Sequence, residues 1–378
     1  MTMTDGDNEA LLRKLAARLG FLKQDPKNRR LLLETADLAL EAGDPDQAIA
    51  LLERAGQVDS LSFSELNVLG LAAIKAKRFD LAVECFETVA RETGEDEPGP
   101  RFNLAWSLAV LSRSEEALPV LTDQTARILP QAATLKVQLL HKLGNLDEAM
   151  DQAKQLLECH PEHPGLLGAV SVLAIDCEDL ELAAETAARA GEQSDALTTL
   201  GTLALGEEDA ATARRVFERA LAIRQDVPRA WVGRGLAKLL DQDPLDAARD
   251  IEKGAELFGD HLGSWIAAGW ARFVGQDYAE ARRIFEHALA LDPTFSEAHG
   301  SMAVIEIQEG LLSSAAERVK VATRLDRNCF SAAFARTLLA SADGDQDKAR
   351  VIFEKAVNVP IGKDGRTIAQ SLAKMGLR

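Results

Sequence analysis

The chain has 378 residues, 47% apolar and 27% charged, with a formal net charge of −17. This balance excludes a disordered chain, a collagen or a disulfide scaffold, and the acidity disfavours a phosphate backbone as partner. Four cysteines make no framework, so a reducing, cytoplasmic setting is expected.

The opening residues, MTMTDGDNEA, are too polar for a secretory signal, and no apolar run approaches the ~18–20 residues that span a bilayer. From Asn8 to Lys23 the spacing of Leu11, Leu12, Leu15 and Leu19 predicts an amphipathic helix, ended by Asp25-Pro26. It reads as an N-terminal capping helix within residues 1–28. Beyond it the chain is periodic. The segments starting at Trp231 and Trp265 are 34 residues apart and align throughout, Gly235 with Gly269 and Ala247 with Ala281. Extending this register places alanines at 48, 82, 117, 149, 183, 213, 247, 281, 315 and 349. A fixed period of this size is the mark of a repeat array.

Each unit reads as two helices. The first is apolar at intervals of three and four, as at Leu236, Leu239 and Leu240. A breaker follows, with Gly43, Gly144, Gly275, Gly310 and Gly344 near the turn. A second periodic run then ends near Pro161 and Pro293, or near Pro130, Pro228 and Pro360. Glu92 to Pro100 (ETGEDEPGP) predicts an extended acidic loop. The units around 98–129 and 130–163 are the least regular, with Val137 and Gln124 in places that elsewhere take small residues. Near Gly191 the period shortens to 30. Residues 1–193 hold 19 basic and 33 acidic groups, a net of −14, which leaves −3 for residues 194–378. Two halves, 29–193 and 194–363, are expected to meet there. A loop, IGKDGR, and a C-terminal capping helix over 364–378, with Ile368, Leu372 and Met375 facing the array, complete the chain.

These residues resemble the tetratricopeptide repeat (TPR) family. The unit from Leu262 carries the pattern most fully, in Trp265, Gly269, Tyr278, Ala281, Phe285, Ala288 and Pro293. Units from Pro228, Ser194, Phe63 and Phe330 keep most of it. The resemblance covers about residues 29–361. It implies an all-α, right-handed α-solenoid of about ten helix-turn-helix repeats with helical caps. Small residues at the ladder and early positions let paired helices approach, and stacked neighbours bury what one unit cannot.

No motif for catalysis stands out, so a non-enzyme without cofactor or metal is expected. Cys159-His160-Pro161-Glu162-His163 reads as a helix end and turn rather than a metal site. Gly233-Arg234-Gly235 lacks the strand and the Gly-Lys-Ser/Thr ending of a phosphate loop. His299 stands where the family often has an aromatic, and is expected to be packed. The carboxylate clamp of some family members is not carried over, because its slots hold Leu33 and Asp37, Asn67 and Leu71, then Phe102 and Trp106.

The expected function is a scaffold or adaptor for protein partners, with a chaperone as a close variant. A peptide-responsive receptor and a non-catalytic enzyme subunit are the alternatives, and self-association stays open. The Arg-to-Lys ratio of 28 to 15 suggests a GC-rich bacterial source. By resemblance, positions two, five, nine and twelve of each unit face the concave groove. In the last four units these are Arg229, Val232, Leu236 and Leu239; Gly263, Ile266, Trp270 and Phe273; Glu297, Gly300, Val304 and Ile307; Ser331, Phe334, Leu338 and Ser341. The ten apolar ones form the expected partner-binding strip, with Trp270 as its anchor. Aromatics at helical spacing are as often core, so burial against neighbouring helices is the competing expectation.

Overall fold

The computed structural model describes residues 5–93, 97–358, 360–361 and 366–367. Its elements are helices throughout, apart from a two-residue antiparallel pairing of Pro360–Ile361 (β1) with Arg366–Thr367 (β2). The solenoid is all-α, as expected.

Contacts gather the chain into two units, 1–173 and 174–378. The first opens with α1 (Asp5–Gln24). Helix pairs follow: α2 (Arg29–Glu41) with α3 (Pro45–Val58), and α4 (Phe63–Lys75) with α5 (Phe79–Thr93). Next come α6 (Pro98–Val110) with α7 (Ser114–Val120) and α8 (Asp123–Ile128), then α9 (Pro130–Lys142) with α10 (Leu146–Cys159). The division falls inside α11 (Pro164–Asp176), which α12 (Leu180–Ala190) follows in the chain. The change of period near residue 193 comes after α12. The second unit continues with α13 (Ser194–Gly206) and α14 (Ala210–Ile223), and α15 (Pro228–Leu240) and α16 (Pro244–Phe258). It ends with α17 (Leu262–Val274) and α18 (Tyr278–Leu291), α19 (Ser296–Gln308) and α20 (Leu312–Leu325), and α21 (Phe330–Ala342) and α22 (Gln346–Val357).

All ten ladder alanines are buried, each in the second helix of its pair. In eight of the ten a ring or branched chain stands four residues on, while Ala153 and Ala187 hold that place in the other two. Phe86, Phe217 and Phe285 are fully buried. A Cβ added at Gly70 would lie 2.7 Å from Phe86, and one at Gly201 would lie 2.7 Å from Phe217. Phe217 also faces Gly233 of the next pair, so one ring joins two repeats. At Gly235 an added Cβ would meet Ile251 at 2.5 Å and the Ala247 carbonyl at 2.8 Å. The glycines of Gly233-Arg234-Gly235 are therefore contact points between helices.

The turn inside each pair has one geometry. Residues 43, 77, 112, 144, 178, 208, 242, 276, 310 and 344 all have positive φ, between 58° and 83°. Each stands five places before a ladder alanine. The next residue's N–H then reaches back five places to the first helix, as from Asp44 to the Ala39 carbonyl (2.9 Å) and from Asp345 to that of Ala340 (3.0 Å). This closes the helix C-terminus. Only four of the ten are glycine. Gly275, expected near this turn, is right-handed at φ −74°, and Gln276 takes the left-handed place. In six pairs the residue after it is Asp, whose carboxylate caps the second helix, as Asp44 does at Gln47 N (3.0 Å) and Asp345 at Lys348 N (3.0 Å).

Several expectations change in detail. Pro130 and Pro228 open the next helix at its first position, where the missing N–H costs nothing. The acidic loop is shorter than 92–100, since α5 runs to Thr93 and α6 starts at Pro98, and 94–96 lie outside the described residues. The second helix of the third pair is split. Pro119 sits in α7, and Thr122 starts α8 by accepting from Thr125 N (3.2 Å). The period of 30 reflects a short α12 of 11 residues, stopped by Gly191 at φ 66°. In α1, Leu11, Leu15 and Leu22 are buried while Leu12 is exposed. The expected C-terminal helix lies largely outside the described residues, Ile368, Leu372 and Met375 included, and Thr367 is in β2.

Candidate functional site

The expected strip lies on the first helices α15, α17, α19 and α21 of the second unit. Its polar positions are engaged within the fold. Arg229 makes a two-pronged pair with Asp176 (2.9 and 2.5 Å). Glu297 reaches from α19 to the start of α21, where its carboxylate accepts from Phe330 N (2.8 Å), Ser331 N (3.2 Å) and Ser331 Oγ (2.5 Å). That bridge draws the two helices together. A Cβ at Gly300 would lie 2.5 Å from Ala332 N, and Ser301 Oγ donates to Ser331 Oγ at 3.2 Å.

The close approach of α19 and α21 decides the fate of the apolar positions. Val304 is 1% exposed and belongs to the core with Ala303, Ala315 and Ala335, so it offers no surface. Ile307, Phe334 and Leu338 pack onto the same core and remain half-buried, and Trp270 and Phe273 join them from α17. Trp270 is the hub. Its ring centroid lies 5.3 Å from Phe273, 5.9 Å from Phe285 and 6.0 Å from Phe334, in edge-to-face contacts. Ile266 packs with Trp270, while Val232 and Leu239 pack toward α16 and α17, all three half-buried. Leu236 is the most open of the ten, at 36%. The strip's side chains are thus partly core, with Leu236 the most open and Val304 closed off.

The first unit holds a groove that the strip did not anticipate. Phe102, Trp106 and Val110 of α6 face Gln131, Leu135 and Gln138 of α9 across about 380 Å³, with His163 at one end. Phe79 braces Trp106 edge-on at 5.6 Å. His163 is held below the ordinary imidazole value by burial and by neighbouring His160. Its Nδ1 accepts from Leu166 N (3.2 Å), and His160 Nε2 bonds the Ala126 carbonyl (3.0 Å), so each imidazole has a structural task in the turn. The signal for this groove was present in Phe102 and Trp106, two large aromatic residues at inner positions.

His299 is half-buried and does the work of an aromatic with an N–H. Its Nε2 pairs with the Pro293 carbonyl at 2.9 Å. Trp231 Nε1 donates to Gln225 O at 2.8 Å and Trp265 Nε1 to Gly259 O at 2.9 Å. All three span six residues and tie the first helix to the preceding turn.

Family models described as tetratricopeptide repeat match residues 275–342 in one case, and 11–60 and 198–261 in another. No curated protein matches the chain significantly. Among solved structures, Pseudomonas aeruginosa PilF is 16% identical, with 55% of this chain and 95% of that one covered at a TM-score of 0.45. YrrB, described as a TPR protein with an unusual peptide-binding site, is 21% identical, with coverages of 46% and 90% and a TM-score of 0.38. MamA is 19% identical, with coverages of 42% and 92% and a TM-score of 0.34.

Proposed function

Because the chain is a tetratricopeptide repeat protein, we propose that it is a non-catalytic scaffold that holds an apolar or amphipathic segment of a partner protein against the strip on α15, α17, α19 and α21. Protein interaction is the general task of such arrays, and the strip supplies the chemistry for it. The observation that carries the reading is Trp270. Its ring is fixed on three sides by other aromatics and still half-open, which makes a rigid anchor with little entropy left to lose on binding. Leu236, Ile266, Phe273, Phe334 and Leu338 extend the apolar contact.

The test is capture of a partner from the native cell by the full chain, followed by Trp270→Ala with Phe273→Ala. Binding should be lost while the helical circular dichroism remains. Since both side chains also pack on the core, Leu236→Glu serves as the second variant, because Leu236 is open enough to change without unfolding. Retained binding in a folded Leu236→Glu and in the folded double variant would remove the strip from the interface. The groove of Phe102 and Trp106 is the second reading, favoured by its concavity. Loss of binding in Trp106→Ala, with the strip variants unaffected, would select it.

A further inference from the structure

From Ala213 onward the ladder repeats every 34 residues, so side chains at equivalent places can be compared directly. Between successive second helices from α14 to α22, over the first helix that separates them, lie four equivalent clefts. In the first three, the facing wall positions are Glu218 and Asp246, Glu252 and Glu280, and Glu286 and Ser314. The acidic groups there are consumed by ion pairs: Glu218 with Arg214 (3.1 Å), Asp246 with Lys238 (2.8 Å), Glu252 with Arg272 (2.5 Å), Glu280 with Arg283 (2.5 Å) and Glu286 with Arg282 (3.1 Å).

In the fourth cleft, between α20 and α22 over α21, the sign is inverted. The wall positions are Lys320 and Lys348, and Arg324 and Arg336 stand where the preceding cleft has Ala290 and Met302. The cleft encloses about 630 Å³. Lys320 has Glu317 at 2.6 Å, whereas Arg324, Arg336 and Lys348 have no ion-pair partner among the described residues. Asp343 is the one carboxylate in the lining and pairs with none of them. Val319, Leu339 and Ile352 put apolar surface between the cations. Four cations thus converge in a chain of net charge −17.

We propose that this cleft is a second docking site, distinct from the strip on the first helices, and that its occupant is an acidic, amphipathic peptide segment of a partner protein. Charge complementarity selects the sign of the ligand, and the interleaved Val319, Leu339 and Ile352 select a peptide with apolar side chains over a bare anion. The chain's own terminal stretch, 362–378, carries Lys363, Arg366, Lys374 and Arg378 against Asp364, so like charge argues against it as occupant. On α21, Arg336 lies between Phe334 and Leu338 in sequence and so on the opposite side of the helix from the strip.

The experiment is fluorescence anisotropy of the full chain with a labelled peptide alternating Asp and Glu with Leu, beside one in which Gln replaces the acids. The acidic peptide should bind more tightly, and added salt should weaken it. Arg324→Glu with Lys348→Glu, both exposed, should lower its affinity about tenfold or more. Lys253→Glu, on α16, should leave it unchanged. If the double variant melts early, Arg324→Gln with Lys348→Gln replaces it. Equal binding of the two peptides, or equal binding by wild type and folded variants, overturns the proposal. So does displacement of the acidic peptide by inorganic phosphate as readily as by its own unlabelled form, or tighter binding of a duplex oligonucleotide lost in the same variants.

Discussion

At the scale of single residues, burial and one hydrogen bond decide behaviour that residue type leaves open. Burial pushes the Cys85 thiol up to about 11 and that of Cys329 to about 12, with Glu84 and Glu53 adding to the first and Glu297 to the second. Both remain protonated near neutrality, and the thiolate is the reactive form. Cys159 is exposed. Ellman's reagent at neutral pH should therefore label Cys159 readily and reach Cys85 and Cys329 only after denaturation. Fast labelling of Cys85 in the folded chain would contradict its packing. Trp265 offers a second test. Trp265→Phe keeps most of the ring and removes the 2.9 Å bond from Nε1 to Gly259 O, at a cost of about 1 kcal/mol in urea unfolding. An unchanged midpoint would mean that the bond contributes nothing.

At the scale of the helix pair, the ladder and the turn carry the repeat. Ala281 is fully buried beside Phe285, Met302 and Ile305. Ala281→Leu should overpack that crossing and cost roughly 1–3 kcal/mol. A melting curve that does not move would place Ala281 at the wrong face. The turns predict the opposite sign. Gln242 and Gln276 hold φ 62°, where a side chain costs roughly 1–2 kcal/mol and glycine's extra entropy about 0.5–1. Gln242→Gly and Gln276→Gly should each raise stability by roughly 0.5–1 kcal/mol, read as a higher urea midpoint. A lower midpoint would show that the glutamine side chains make up for the strain. Neither turn is legible as left-handed in the sequence, because the place is recognised from glycine alone, and only four of ten pairs have it.

For the whole molecule, charge sets the response to pH. Hydrogen bonds from partner cations hold several carboxylates below their ordinary range: Glu65 by Arg29, Asp123 by Lys136, Asp246 by Lys238 and Glu280 by Arg283. In the unfolded chain these groups bind protons more readily, so their stabilisation is complete above about pH 4.5 and is lost as pH falls through the depressed folded values. Lys238 acts at the other end. Burial pulls it down, but its bonds to Asp246 and Asp250 leave it raised, so its share is lost only as pH climbs past the ordinary lysine value. The melting temperature should hold near neutrality and drop in acid. Glu65 also closes a capping box on α4 with Ser62 and takes both prongs of Arg29 (3.0 and 2.6 Å). Glu65→Gln should melt lower than wild type at pH 7 and converge with it toward pH 3. A constant gap across that range would detach Glu65 from the acid response.

The repeat was readable without coordinates because its signals are local and recur in one phase. A buried alanine in the second helix recurs in all ten units, and in most of them it is followed four places on by a ring or branched chain and faced by a small residue of the first helix, as close helix approach requires. The alanine period therefore determined the pairing of helices along the array. What the chain pattern could not decide were matters of distance between units. Val304 and Ile307 occupy inner positions of the same helix, yet Val304 is core because Glu297, Gly300 and Ser301 draw α19 onto α21, while Ile307 keeps an open side. The groove of Phe102 and Trp106 exists because α6 and α9 bring their side chains to the two sides of one space. The basic cleft exists because three helices bring residues 320, 324, 336 and 348 to one place. Local pattern encodes which face a residue takes; only the separation of packed helices settles whether that face is filled by protein or left to a partner.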